Sequence, residues 1–162
     1  MSRRRASATV RLTCALVGIA VLLSMSAVDA AAQTPAPGQS EQVVSSMKID
    51  IDVEGATITA TLDDSPAARD FASLLPLALT LEDYNSTEKI GTLPRRLAIE
   101  GAPAGIDPSP GDLTYYAPWG NLAIFYKDFG YSRGLVKLGA IVSGGEALDV
   151  PGSVKVTIRL AR

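Results

Sequence analysis

Two stretches around residue 50 alternate with a period of two. Met47, Ile49, Ile51 and Val53 interleave with Lys48, Asp50 and Asp52, and after Glu54-Gly55 Ala56, Ile58, Ala60 and Leu62 interleave with Thr57, Thr59 and Thr61. In a strand successive side chains point to opposite faces, so each stretch reads as a half-buried strand and the pair as a hairpin turned at Glu54-Gly55. Similar short segments recur to the C-terminus. Leu77, Leu79 and Leu81 alternate with Ala78 and Thr80; Val136, Leu138, Ala140 and Val142 share one face; so do Val154, Val156, Ile158 and Leu160. About eight strands follow one another too closely for helical crossovers, which excludes a parallel doubly wound sheet. The fold class is therefore mainly β, and a closed antiparallel barrel is favoured because closure removes exposed edges.

One or two short helices accompany the strands. Ser65-Pro66 supplies an N-cap and a first-turn proline, Ala67, Phe71, Leu74 and Leu75 recur at helical spacing, and Pro76 stops the helix. The polar run Glu82–Gly91 and the proline-rich Ala102–Pro110 read as loops. Between them Leu93–Ile99 reads as a short strand weakened by Pro94. The richest aromatic stretch is Gly111–Tyr126, with Leu113–Tyr116 and Leu122–Tyr126 as buried strands and Ala117-Pro118-Trp119-Gly120 as the turn between them.

The N-terminus has a different character. Arg3, Arg4 and Arg5 precede an apolar run from Cys14 to Val28 and then Ala30, Ala31 and Ala32, the layout of a secretory signal peptide over residues 1–32. Cleavage after Ala30 or after Ala32 satisfies the small-residue rule equally. Residues 33–46, rich in Pro, Gln and Ser, read as a disordered linker, and the folded domain is expected over residues 47–162. The mature chain is expected to be secreted or periplasmic, in a bacterial setting, with no membrane association after leader removal.

Removing the leader takes four of the 15 basic and one of the 17 acidic residues, leaving a net charge of −5. An acidic chain with no basic run lacks the footprint that phosphate backbones require, so nucleic acid is not an expected partner. The only cysteine, Cys14, lies in the leader, and there is no histidine. Neither a transition-metal site nor any cofactor is expected, and Ser65, Ser143 and Ser153 lack a histidine base, so no catalytic residue is assigned.

Three segments carry a resemblance. Ile49–Gly55 through Pro66-Ala-Ala-Arg-Asp-Phe71, Gly111-Asp112-Leu113-Thr114, and Leu138–Gly144 resemble the opening strands and first helix, the Gly-Asp-Phe-Thr strand and a late glycine-bearing segment of cyclophilins. More closely, Leu75-Pro76 and the eleven-position Gly-Asp-x-x-Tyr-Tyr-x-Pro-x-Gly-Asn pattern at Gly111–Asn121 are similar to a family of small prokaryotic cyclophilin-like proteins. The resemblance implies a cyclophilin-like β-barrel over roughly residues 47–162. It implies peptidyl-prolyl isomerase ancestry as well, yet the Phe-His-Arg, Gln-x-Met and groove-histidine features of active cyclophilins have no counterpart here.

Arg95 and Arg96 fall in about the stretch where the cyclophilin arginine would lie. Together with Tyr115, Tyr116, Pro118, Trp119, Asn121 and Tyr126 they are the candidate ligand-binding residues, because aromatic side chains near an arginine suit an extended peptide or a flat small molecule. The expected activity is thus binding of a peptide or small ligand without efficient isomerase chemistry. The alternative is an isomerase that uses Arg95 or Arg96.

Overall fold

The computed structural model describes residues 46–162; the expected signal peptide and nearly all of the expected linker lie outside the described residues. Ten strands and one α-helix are present among them. The strands are β1 (Met47–Val53), β2 (Ala56–Leu62), β3 (Leu77–Tyr84), β4 (Glu88–Thr92), β5 (Gly105–Ile106), β6 (Asp112–Tyr116), β7 (Asn121–Phe125), β8 (Ser132–Arg133), β9 (Leu135–Ser143) and β10 (Val154–Leu160). Helix α1 is Pro66–Ala72, and a 3₁₀ turn spans Gly145–Leu148. Eight strands close a barrel in the order β1-β10-β3-β4-β7-β6-β9-β2, while β5 and β8 form a separate two-stranded ribbon. Every pairing is antiparallel.

The alternation reasoning holds for the flanking strands. Ile49, Ile51, Ile58, Leu81, Val156 and Ile158 point into the barrel and are buried, and Asp50 and Asp52 stay on the outer surface beside Arg159. Ser65 caps α1 by accepting a hydrogen bond from the Ala68 amide at 3.1 Å, and the helix sends Ala67, Ala68 and Phe71 into the same core. Helix α1 ends before Leu74 and Leu75, which pack against that core from the segment after it.

Four expectations are corrected; the smallest concerns Ala102–Pro110, expected as a loop, which carries the two-residue strand β5 paired with β8. The run Glu82–Gly91 is no loop: it contains the end of β3, a turn with Asn85 and Ser86 at positive φ, and β4. Its strand character was hidden because the inward positions of β4 carry Lys89 and Gly91 in place of apolar residues. Lys89 is fully buried, and its ammonium donates to the carbonyls of Val150 and Gly152 and lies 3.5 Å from Asp83. Gly91 is required by close packing, since a Cβ there would stand 2.7 Å from Leu81 Cδ2.

The expected strand at Leu93–Ile99 is absent. That segment is irregular, with Leu93 and Leu97 buried in the main core and the Leu97 amide donating to the Tyr115 hydroxyl at 3.2 Å. Finally, the apolar face drawn through β9 does not persist. The register shifts between Leu113 and Thr114 of β6 and between Thr59 and Ala60 of β2, so Val136 and Leu138 are buried while Val142 is exposed and Ile141 packs on the core. A one-residue slip exchanges the two faces of a strand.

Strand β7 is unusual in being buried along its whole length. Leu122 and Ile124 face the barrel interior, whereas Ala123 and Phe125 join Leu135 in a second, outer cluster completed by Ile90, Ile106 and Tyr116. An outer barrel face that is apolar across β4, β7, β6 and β9 is the feature that positions the site.

Candidate functional site

The site begins with the β6–β7 turn. Trp119 and Gly120 amides both turn back to the Tyr116 carbonyl, and Gly120 takes φ of +75°, a conformation that glycine adopts without a Cβ penalty. Arg96 clamps this turn: its guanidinium donates to the carbonyls of Ala117 (2.6 Å) and Pro118 (3.3 Å). Behind it Ala117 donates to the Gly134 carbonyl. The turn is thus held from two sides, and Trp119 projects from it 57 % exposed.

Trp119 forms one wall of a cleft of about 210 Å³ on the outer barrel face. The other aromatic walls are Tyr84 at the end of β3, Tyr116 of β6, Phe125 of β7 and Phe129 of the loop before β8. Trp119 meets Tyr84 at 5.7 Å and 85° and Tyr116 at 5.3 Å and 82°, while Phe125 and Phe129 lie 5.9 Å apart. Five of the nine aromatic residues of the chain therefore line one small cleft. A neighbouring depression of about 350 Å³ along β3 and β4 shares Ile90, Trp119 and Asn121 with it.

Asn85, Glu88, Asn121 and Ser132 are the polar residues among these rings, and two of them stand out. Asn121 is 5 % exposed; its amide nitrogen lies 3.5 Å from the Leu122 carbonyl, and its Oδ1 has no hydrogen-bond partner among the described residues. A buried acceptor without a partner is costly, and an ordered water or a donor on a ligand would satisfy it. Glu88 is half-buried, and burial pushes its carboxyl up to about 7. Because the folded value lies above the ordinary 4.5, its contribution to stability is full below pH 4.5 and is lost as pH rises through about 7. Glu88→Gln is expected to remove this slope, with a gain on the order of 1 kcal/mol at pH 8 once screening of a half-exposed group is allowed for. Urea midpoints measured at pH 5 and pH 8 check it.

Of the candidate residues, Tyr116, Trp119 and Asn121 come together in the cleft. The others do not join its lining. Tyr115 is a core residue, 1 % exposed, because β6 alternation turns it inward opposite Leu122. Tyr126, one residue beyond Phe125, is turned toward the β3–β4 hairpin, where its hydroxyl donates to Asp83 at 2.5 Å and its ring centroid lies 5.9 Å from Lys89 Nζ; burial and that carboxylate push the phenol up to about 12. Pro118 is exposed on the turn behind Trp119.

Arg95 points away as well. Its guanidinium holds both carboxylate oxygens of Asp70 at 2.7 and 2.8 Å and donates to Ser73, which drives the Asp70 carboxyl down to about 2 with help from the Ala98 amide. Arg95 therefore ties the irregular Leu93–Ile99 segment to α1. Arg96 acts on the site only through the turn. Arg96→Ala is expected to cost about 1 kcal/mol and to loosen Trp119, read as a faster decay of its fluorescence anisotropy.

Sequence reasoning missed Tyr84, Glu88 and Phe129. Tyr84 and Glu88 are cross-strand partners in the β3–β4 hairpin that the polar run concealed, and only the continuation of the Leu77-Leu79-Leu81 alternation as far as residue 84 could have signalled the strand. Among the described residues no group of three or more His, Cys, Asp or Glu is set to hold a metal ion, and no helix is long and apolar enough to cross a membrane.

The profile of the Cyclophilin-like family matches residues 51–159, from the middle of β1 to the penultimate residue of β10. The chain belongs to the Cyclophilin-like family. In this cyclophilin-like domain the Gly111-Asp112 pair of the signature joins strands: Gly111 donates to Phe125 and accepts from Ile141, and the Asp112 carboxylate accepts from the Ser109 amide at 3.0 Å and from Lys137 at 2.6 Å. The fold is similar to the solution structure of a hypothetical protein from Archaeoglobus fulgidus, with a TM-score of 0.56 and 22 % identity, covering 72 % of this chain and 95 % of that one. No curated protein matches the sequence.

Proposed function

We propose that this cyclophilin-like domain is an exported binding module that takes a peptide or small ligand into the Trp119 cleft and has no efficient isomerase chemistry. The observation that carries the reading is the gathering of five aromatic rings around a buried, unpartnered Asn121 oxygen on the outer barrel face. Clefts of this kind, mostly apolar with a few convergent polar groups, are the usual form of ligand sites. Export rests on the charged and apolar leader of residues 1–32, which implies a secreted or periplasmic location. The acidic mature chain favours partners other than nucleic acid.

The alternative is a peptidyl-prolyl isomerase using Arg95 or Arg96. Rotation about an X–Pro bond faces a barrier of about 18–20 kcal/mol, and an arginine lowers it only when aimed at the amide. Here Arg95 is committed to Asp70 and Arg96 to the turn carbonyls, and fold-level ancestry carries no activity without the site. A misplacement of about 1 Å can cost on the order of 10²-fold. In a proline tetrapeptide assay the domain is expected to leave cis–trans exchange near its uncatalysed rate, with the Arg95→Ala, Arg96→Ala double variant unchanged; a robust rate lost in that variant would establish the isomerase instead. Binding is tested by titrating proline-containing peptides while following fluorescence, since Trp119 is the sole tryptophan. Saturable change is expected, and a flat response at millimolar peptide would count against a peptide ligand.

A further inference from the structure

Taking the cleft as a ligand site, we propose that the group it accepts is an organic cation, a methylated ammonium enclosed by Tyr84, Tyr116 and Trp119 and neutralised by Glu88. Shape is the first reason. Trp119 stands nearly perpendicular to both tyrosine rings, at 85° and 82°. A flat aromatic ligand calls for a parallel slot, whereas rings meeting at right angles make the corners of a box, and a box of about 210 Å³ fits a compact rounded head group.

Charge is the second reason. Among the described residues no Lys or Arg lines the cleft, its side-chain carboxyl is Glu88, and the Asn121 acceptor is unpartnered. Asn85 and Ser132 are the other polar residues of the lining, both neutral, so an anionic head group would meet the Glu88 carboxylate and no cationic side chain to offset it. A methylated ammonium is attracted by aromatic quadrupoles and is weakly hydrated, so it enters such a box at small desolvation cost.

The surroundings of Glu88 agree. Its cross-strand neighbours are Tyr84 on β3 and Phe125 on β7. The nearby charged and titratable groups gather around the Tyr126 ring: Asp83 accepts from Tyr126 and pairs with Lys89, both Lys89 and Lys127 approach that ring at 5.9 and 5.6 Å, and the charges of Asp149 and Glu88 both act on the same phenol. Among the described residues Glu88 forms no salt bridge of its own. Its carboxyl, raised to about 7 by burial, gains a counter-charge when a cation enters. Cation affinity then rises as pH passes upward through about 7.

Choline and its uncharged isostere 3,3-dimethyl-1-butanol separate the charge from the shape. Titrated at pH 8 and followed by Trp119 fluorescence, choline is expected to reach half-saturation at a concentration at least about tenfold lower than the isostere. At pH 5.5 the advantage should shrink, and in Glu88→Gln at pH 8 it should fall to within about twofold. Equal half-saturation of the two probes, or a choline advantage that survives Glu88→Gln and is independent of pH, would overturn the assignment of a cation held by Glu88. If the isostere or a proline-containing peptide saturates the signal while choline does not, the cation is wrong and the cleft stands; if none of the three does, both readings fall.

Discussion

Gly139→Ala is expected to lower the stability of the domain by about 3 kcal/mol, enough to leave much of a marginally stable chain unfolded at 37 °C. Gly139 sits in β9 between two partners, opposite Leu62 of β2 and Leu113 of β6, next to the register shift in the β6 pairing. A Cβ at this position would stand 2.0 Å from the Thr61 carbonyl oxygen and 2.9 Å from Leu62 Cα. The atoms in the way are backbone, and β2 is itself paired on its other edge with β1, so no flexible side chain can yield. Relief requires separating β2 from β9, which opens the barrel. Gly130→Ala is the control, because nothing lies within 4 Å of a Cβ there, and it should change stability by no more than about 0.5 kcal/mol. Urea unfolding of both variants checks the pair, with a lower midpoint at unchanged slope expected for Gly139→Ala.

Trp119→Ala should act on binding and leave the fold in place. The indole is 57 % exposed, so its removal uncovers little core and should cost under about 1 kcal/mol of stability. It is also the wall shared by the cleft and the neighbouring depression, and its loss removes the partner against which Tyr84 and Tyr116 stand edge to face. Aromatic anchors of this kind carry about 2 kcal/mol or more, a loss of about 30-fold in affinity. Calorimetry is the suitable readout because the variant has no tryptophan.

How far the molecule was legible from its sequence depended on what each strand faces. β1, β2 and β10 have one face in the core and one in solvent, and their alternation located the strands and their inner residues, except at the ends, where Ala56 and Leu160, expected on the inner face, are exposed. β4 escaped because Lys89 and Gly91 occupy its inward positions. The first satisfies buried carbonyls of a distant loop, and the second makes room for Leu81; neither purpose is visible without the partner segments. In Leu93–Ile99 the spaced leucines are real core contacts, made from an irregular segment that two arginines fasten at either side. The site was legible at its turn and hidden elsewhere. Pro118, Trp119 and Gly120 announce an exposed aromatic, but Tyr84 and Glu88 reach it only because closure brings β4 beside β7, and Phe129 because the loop after β7 returns it to Phe125.

Backbone amide shifts of the ¹⁵N-labelled domain during titration with choline or a proline-containing peptide give the most direct measurement of where a ligand sits. The cleft reading predicts changes concentrated at Glu88, Ile90, Asn121, Phe125 and Leu135 and at the Trp119 indole. Changes centred instead on Asp70, Ser73 and Arg95, with the Trp119 indole unmoved, would contradict it.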